Sequence, residues 1–220
     1  MKIAIIGFAR SRSSILLEAI NLFYKIPILQ ENIAPNQTLK SFLLNTYNQP
    51  KGIIRFHPDN KILYKKNSYS YLELFKFEQY DKIFFTTRDS ATDYICSYSL
   101  ALQLNRFTYK SVKDFEIDKP IINFSMDNDL HVKSLKQYVY SQLVVDKIKK
   151  HFIKQGITSV SLEYNDIPSF IKNNYPGVKI SHLETNYDYK NIFSNYSDIE
   201  NYYLNIKPEL IKRYDAVKTI

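Results

Sequence analysis

The sequence predicts an α/β fold, a three-layer sandwich in which a central, mostly parallel sheet is flanked by helices. Three observations predict it. Residues 2–6, Gly52–Phe56 and Lys82–Thr87 are short β-branched or aromatic runs with little polar alternation, the pattern of strands buried on both faces. Segments of helical period stand between and after them, the order of elements that builds a parallel sheet. Two of the strands run into a polar turn containing Arg and then into a helix, so one strand–turn–helix design occurs twice.

Composition narrows the class. A chain of 220 residues has the length of one domain and can bury roughly 70% of its unfolded surface. Hydrophobic residues make up 45% and charged residues only 24%, which excludes a disordered, solvated chain. The net charge of +8 and the pI near 9.2 permit an anionic ligand. Because Lys, Ile, Asn and Tyr are abundant together, as AT-rich coding favours, charge alone assigns none. The single cysteine, Cys96, excludes an internal disulfide and fits a reducing compartment; alone in an apolar helix it reads as a buried small residue. The apolar run before Arg10 is about five residues long, short of a signal peptide's apolar region. No stretch approaches the roughly 18 apolar residues of a membrane span. A soluble, cytoplasmic protein without a membrane partner is expected.

Taken in order, residues 2–6 form the first strand and Gly7 stops it. Ile15, Leu16, Ala19, Ile20 and Phe23 then repeat with helical period, and Ser13 or Ser14 is the natural cap. Residues 25–35, with Pro27 and Pro35, read as a loop, and 38–48 as a second helix ended by Gln49-Pro50. The strand Gly52–Phe56 leads to a turn at 57–60. Residues 68–80 are helical by the spacing of Tyr71, Leu72, Leu74, Phe75 and Phe77. Lys82–Thr87 ends in Arg88-Asp89-Ser90, and Thr92 or Asp93 caps a helix over 94–106 with Ile95, Tyr98, Ala101 and Leu102 on one stripe. Residues 110–128 lack a period and contain Pro120, as a long active-site or acceptor loop does. Asp127, Asn128 or Asp129 starts the longest helix, which runs to about Gln155 and is ended by Gly156. A strand at 157–162, a helix started by Asp166 and Pro168, a short strand at 178–180 and helices near 198–204 and 208–217 complete the chain. His131 and His151 have no partner at ligand spacing, and no Cys/His/Asp/Glu cluster marks a metal site.

The chemistry concentrates in the turn Phe8-Ala9-Arg10-Ser11-Arg12-Ser13-Ser14. A helix N-terminus carries unpaired N–H groups and roughly half a positive charge. Two guanidinium groups and three hydroxyls beside it make a cradle for a phosphate or sulfate. The alternative is a polar turn whose arginines are merely solvated. The fingerprints G-x-x-x-x-G-K-[ST] and G-x-G-x-x-G both need glycines that the chain, with only Gly7, Gly52, Gly156 and Gly177, does not supply.

Residues 7–16 resemble the 5′-phosphosulfate loop of sulfotransferases that use 3′-phosphoadenosine 5′-phosphosulfate, written G-x-P-[KR]-S-G-[ST]-T-x-L. Ala9 stands where Pro is usual and Arg12 where Gly is. Arg55-Phe56-His57-Pro58 is similar to the family's K-T-H-x-P tract, which implies His57 as general base and Arg55 as the cation near the sulfuryl group. A free imidazole, with a pKa of about 6.5, accepts a proton at neutral pH without special tuning; the alternative is a turn histidine without chemistry. Arg88 resembles the Arg of the family's 3′-phosphate site, whose partner is a Ser on the following helix. The usual spacing of eight lands on Cys96 and Ser97 is nine away, which one extra residue in the Ser90-Ala91-Thr92 turn would restore. The alternative for Arg88 is an ion pair with Asp89 or Asp93. Residues 163–167 resemble the Y-E-D-L tract after the family's long helix, with Asn165 in the Glu place and a mostly structural role. The basic C-terminal loop of many members is missing; Tyr187, Lys190 and Asn195 are weak substitutes, and His182 reads as structural.

The resemblance implies a single domain over 1–220 with a P-loop nucleotide-hydrolase-like sheet. It implies sulfuryl transfer from 3′-phosphoadenosine 5′-phosphosulfate, without a metal, to a hydroxyl or amine of a small-molecule or glycan acceptor. Arg10, Ser11, Arg12, Ser13 and Ser14 would hold the 5′-phosphosulfate, with Arg10 stabilising charge on the leaving phosphate; Arg88 and Ser97 would hold the 3′-phosphate; His57 would be the base. Two alternatives stand beside it. A P-loop phosphotransferase, a small-molecule kinase, would need a Walker Lys and a Mg²⁺ carboxylate, and neither has an obvious place. A basic, Tyr-rich nucleic-acid-binding module would put arginines on phosphates and tyrosines under bases, but much of the Tyr falls at core spacing and argues for packing.

Overall fold

A computed structural model describes residues 1–8, 10–29, 49–57, 79–104, 122–180 and 188–216. The expected helix at 38–48, most of the one at 68–80, the turn at 58–60, most of the loop at 110–128, and Ala9, His182 and Tyr187 lie outside these residues. The chain divides into two compact units, Met1–Thr87 with Ser141–Ile180, and Arg88–Tyr140 with Ser181–Ile220.

The first unit holds the sheet. Strands β1 (Lys2–Gly7), β2 (Gly52–Phe56), β3 (Lys82–Thr87) and β4 (Val160–Glu163) lie in the order β2-β1-β3-β4, and every pairing is parallel. Ile3, Ile5, Ile6, Ile53 and Phe85 are wholly buried, as the unalternated apolar runs require. Helix α1 spans Ser13–Tyr24. After it the chain stays extended beside β2: Ile28 pairs with Ile53 in parallel, Ile53 N–H donates to Pro27 O at 2.9 Å and Leu29 N–H to Ile53 O at 2.8 Å. This part of the expected loop thus extends the β2 edge.

The layers follow from the two-residue period of β3, which sends Phe84 and Phe85 to opposite faces. Phe84 meets Phe170 of α4 (Ile167–Asn174) with ring centroids 5.8 Å apart. Phe85 meets Phe152 of α3 (Asp129–Gln155) at 5.4 Å. Helix α1 packs against α4, so α1 and α4 cover one face and the C-terminal half of α3 the other. Such aromatic pairs add about 0.5–1.5 kcal/mol each beyond burial. Gly156, at φ 66°, ends α3 as the sequence predicts. The short strand expected at 178–180 is irregular chain, and the strand expected at 157–162 is displaced to Val160–Glu163.

The second unit packs α2 (Ala91–Gln103), the N-terminal half of α3, a 3₁₀ turn at Tyr189–Asn191 and α5 (Tyr196–Ala216). Helix α2 starts earlier than its apolar stripe implied. Its cap is Ser90, whose hydroxyl accepts from Asp93 N–H at 3.0 Å, in place of Thr92 or Asp93. Helix α5 is continuous through Pro208, where two helices were expected. Proline removes the bond to the carbonyl four residues back, and here that residue, Leu204, is 54% exposed, so water can serve the carbonyl. Asn195 ties down the backbone at Phe124: its amide donates to Phe124 O and accepts from Phe124 N–H, both at 2.8 Å. Among the described residues no helix is long and apolar enough to cross a membrane.

His131 is 1% exposed. Its Nδ1 accepts from Ser125 N–H at 2.9 Å and its Nε2 lies 2.6 Å from Gln103 Nε2, with Phe124 stacked on the ring at 4.4 Å. Burial holds this imidazole below its ordinary range, partly opposed by the Ser125 backbone. A group whose folded pKa lies below its unfolded value keeps the full stability above the unfolded pKa, about 6.5, and loses it as pH falls through and below that value. Wild type is therefore expected to lose more thermal stability between pH 7 and 5 than His131→Gln. Parallel pH profiles for the two proteins would contradict this.

Candidate functional site

The strand order carries the first clue to the site. From β1 the chain moves to β2 on one side and then to β3 on the other, so the carboxyl ends of β1 and β3 flank a topological switch point, where open parallel sheets bind ligands. The loop that follows β1 occupies that position. Gly7 pairs with Thr86 so closely that a Cβ at residue 7 would stand 1.8 Å from Thr86 Oγ1; only hydrogen fits.

Above Gly7 the loop folds on its own hydroxyl network. Phe8 N–H donates to Thr86 O at 3.1 Å. Ser11 is wholly buried, and its Oγ lies 2.6 Å from Phe8 O and 2.8 Å from Thr86 Oγ1. A carbonyl only accepts, so the Ser11 proton goes to Phe8 O and Thr86 donates to Ser11. The Ser11 side chain therefore shapes the loop.

Arg10 and Arg12 both have left-handed backbones, φ 61° and φ 60°. Arg12 is the N-cap of α1 and makes no side-chain capping bond; neither Ser13 nor Ser14 is the cap, because both already lie in the helix. A non-glycine residue in this conformation costs roughly 1–2 kcal/mol. The Arg12 side chain, 8% exposed, offsets the cost. Its Nη1 donates to Tyr164 O at 3.0 Å and its guanidinium stands 3.9 Å from the Tyr164 ring centroid. A desolvated cation–π contact is worth about 2 kcal/mol and a charged hydrogen bond about 1.5–3 kcal/mol, so the strained loop is held.

The remaining groups come from β2. Arg55 pairs with Ile5 in the sheet register, and its Nη1 donates to the Ser14 hydroxyl. His57, half-buried, lies just past the strand, and its Nδ1 is 2.9 Å from Gly7 O. Because that carbonyl can only accept, the neutral ring carries its proton on Nδ1 and its basic electron pair on Nε2. The structure thus gathers Arg10, Ser11, Arg12, Ser13, Ser14, Arg55 and His57 around the start of α1, whose first turn has no acidic residue. N–H groups of a first helical turn lack intrahelical acceptors, and with guanidinium groups close by the place suits an anion. Thr86 and Tyr164 were not singled out for this loop. Thr86 is at the end of a run read only as a strand, and Tyr164 belongs to the tract read as structural.

In the second unit Arg88 is 6% exposed, with its guanidinium 5.4 Å from the Tyr189 ring centroid; its carbonyl accepts from Tyr138 OH at 3.4 Å. Asp93, one of its expected ion partners, accepts from Tyr196 OH at 2.6 Å. Burial, this hydrogen bond and the Asp93 charge raise the Tyr196 phenol above its ordinary range. The buried Cys96 thiol is pushed up by burial and then by Asp93, and drawn back by Arg88. Ser97 is 1% exposed. Lys190 lies 5.9 Å from the Tyr196 ring centroid. Among the described residues there is no group of three or more His, Cys, Asp or Glu that could hold a metal.

No protein-family model matches the chain, and no curated protein matches it in sequence.

Proposed function

We propose that the chain is a sulfotransferase that moves a sulfuryl group from 3′-phosphoadenosine 5′-phosphosulfate to a hydroxyl or amine of a small-molecule or glycan acceptor in the cytoplasm. The observation that carries the reading is the loop after β1, where a left-handed residue opens α1 between Arg10 and Ser13 and where Arg55 of β2 and His57 just past it are tied to Ser14 and Gly7. These residues suit an anionic mixed anhydride: cationic and N–H donors without a carboxylate in the first turn. Ser13 stands where a phosphotransferase loop would carry its Lys, which favours sulfuryl over phosphoryl transfer.

When bound, the donor supplies an activated sulfuryl group for in-line displacement. Arg10 and the N–H groups of Ser13 and Ser14 would stabilise charge on the leaving phosphate, a preorganised electrostatic role. Arg55 would orient the sulfuryl oxygens. His57 Nε2 would take the acceptor proton, and its Nδ1–H bond to Gly7 O holds the ring in the required tautomer. Arg88, with Ser97, would bind the 3′-phosphate.

The test is thermal stabilisation by adenosine 3′,5′-bisphosphate against ATP with Mg²⁺. At 100 times its dissociation constant the bisphosphate is expected to stabilise wild type by about 2.7 kcal/mol, and both Arg10→Ala and Arg88→Ala to lose most of that shift. Equal stabilisation by ATP, or indifference to both substitutions, would overturn the assignment.

A further inference from the structure

We infer that Arg12 is a positioning residue, and that its lock onto Tyr164 holds the loop at residues 10–14 in the shape that binds an anion. The inference rests on the anion-loop reading above and is independent of which donor the loop serves. Arg12 combines three features: a left-handed backbone at φ 60°, the N-cap position of α1 without a capping side-chain bond, and a buried guanidinium engaged by a residue 152 positions away. A long cationic side chain is a poor choice for a left-handed N-cap unless something outside the loop fixes it. The turn after β4 does so, since Tyr164 offers its carbonyl at 3.0 Å and its ring face at 3.9 Å. A planar guanidinium can serve both at once, donating through its N–H groups while its Cζ lies over a ring, which a compact ammonium cannot do. Glycine would adopt the same backbone without a lock. Arg12 and Tyr164 therefore act as one device that does for this loop what a glycine would do by conformational freedom.

The device makes a prediction that direct contact with the ligand does not. Binding of inorganic pyrophosphate is followed by calorimetry and by the backbone amide resonances of Ser13, Ser14 and Ile15, with the melting temperature recorded for each variant. Arg12→Ala and Arg12→Lys are expected to weaken binding at least tenfold, whereas Arg12→Gly restores it to within threefold of wild type. Tyr164→Ala is expected to weaken binding tenfold in the wild-type background and to leave Arg12→Gly unchanged, while Tyr164→Phe, which keeps ring and carbonyl, binds as wild type does. If Arg12→Gly is as weak as Arg12→Ala, the guanidinium itself holds the anion and the inference is overturned. Equal losses from Tyr164→Ala in both backgrounds overturn it as well. Pyrophosphate binding with these couplings but no response to adenosine 3′,5′-bisphosphate supports the lock and overturns the proposed donor; a wild-type chain that binds neither overturns both.

Discussion

Gly7→Ala is expected to destabilise the protein by about 3 kcal/mol, at the upper end of overpacking costs, and to lower the melting temperature by roughly 6–12 °C. The added Cβ would stand 1.8 Å from Thr86 Oγ1, 2.8 Å from Thr86 O and 3.0 Å from Thr86 Cβ. Turning the Thr86 hydroxyl aside would relieve the shortest contact, but that hydroxyl donates to Ser11. The backbone oxygen has less freedom, because it accepts from Phe8 N–H in continuation of the β1–β3 pairing. The strands must separate or the loop must lift, and either change moves Ser11, Arg12 and the start of α1 together. Loss of anion binding should accompany the loss of stability. Thr86→Ala in the Gly7→Ala background removes the 1.8 Å clash and leaves the 2.8 Å one, so partial rescue is expected. Full rescue, or a melting temperature unchanged by Gly7→Ala alone, would show that the close approach does not constrain the loop.

What could be read from the sequence divides along physical lines. β1 and β3 were legible because strands buried on both faces need unbroken apolar runs, and α3 because 27 residues of one helical period leave little ambiguity. The position of the anion loop was legible for the same reason, as the end of one run and the start of another. The contacts that give the loop its shape were not. Ser11 meets Thr86 across 75 positions and Arg12 meets Tyr164 across 152, and no local pattern encodes such pairs. The α1 cap was misread because propensity favours Ser, whereas the tie to Tyr164 favours Arg12. Likewise Pro208 signals a helix end by its missing N–H, and exposure at Leu204 lowers the part of that cost that comes from an unpaired carbonyl. Lys190 and Asn195, considered for a loop closing over the donor, have structural contacts inside their own unit: Lys190 lies near the Tyr196 ring and Asn195 serves the Phe124 backbone.

His57→Asn is expected to lower the rate of sulfuryl transfer by about 10²- to 10⁴-fold, the usual contribution of a positioned general base, while adenosine 3′,5′-bisphosphate affinity stays within threefold of wild type. Asparagine is the informative replacement. Its side-chain N–H₂ can reproduce the Nδ1–H donation to Gly7 O at 2.9 Å, so the loop keeps that support, but it has no basic atom in the place of Nε2. Alanine would remove both and confound a positioning loss with a catalytic one. The measurement is release of adenosine 3′,5′-bisphosphate in the presence of a panel of hydroxyl and amine acceptors, with binding of the same nucleotide followed separately. A base acts only once an acceptor proton must leave, so the loss should fall on kcat and leave donor binding intact. If His57→Asn turns over as fast as wild type, His57 supports the loop through Gly7 O and another residue is the base. If donor binding fails along with turnover, His57 belongs to the scaffold of the loop.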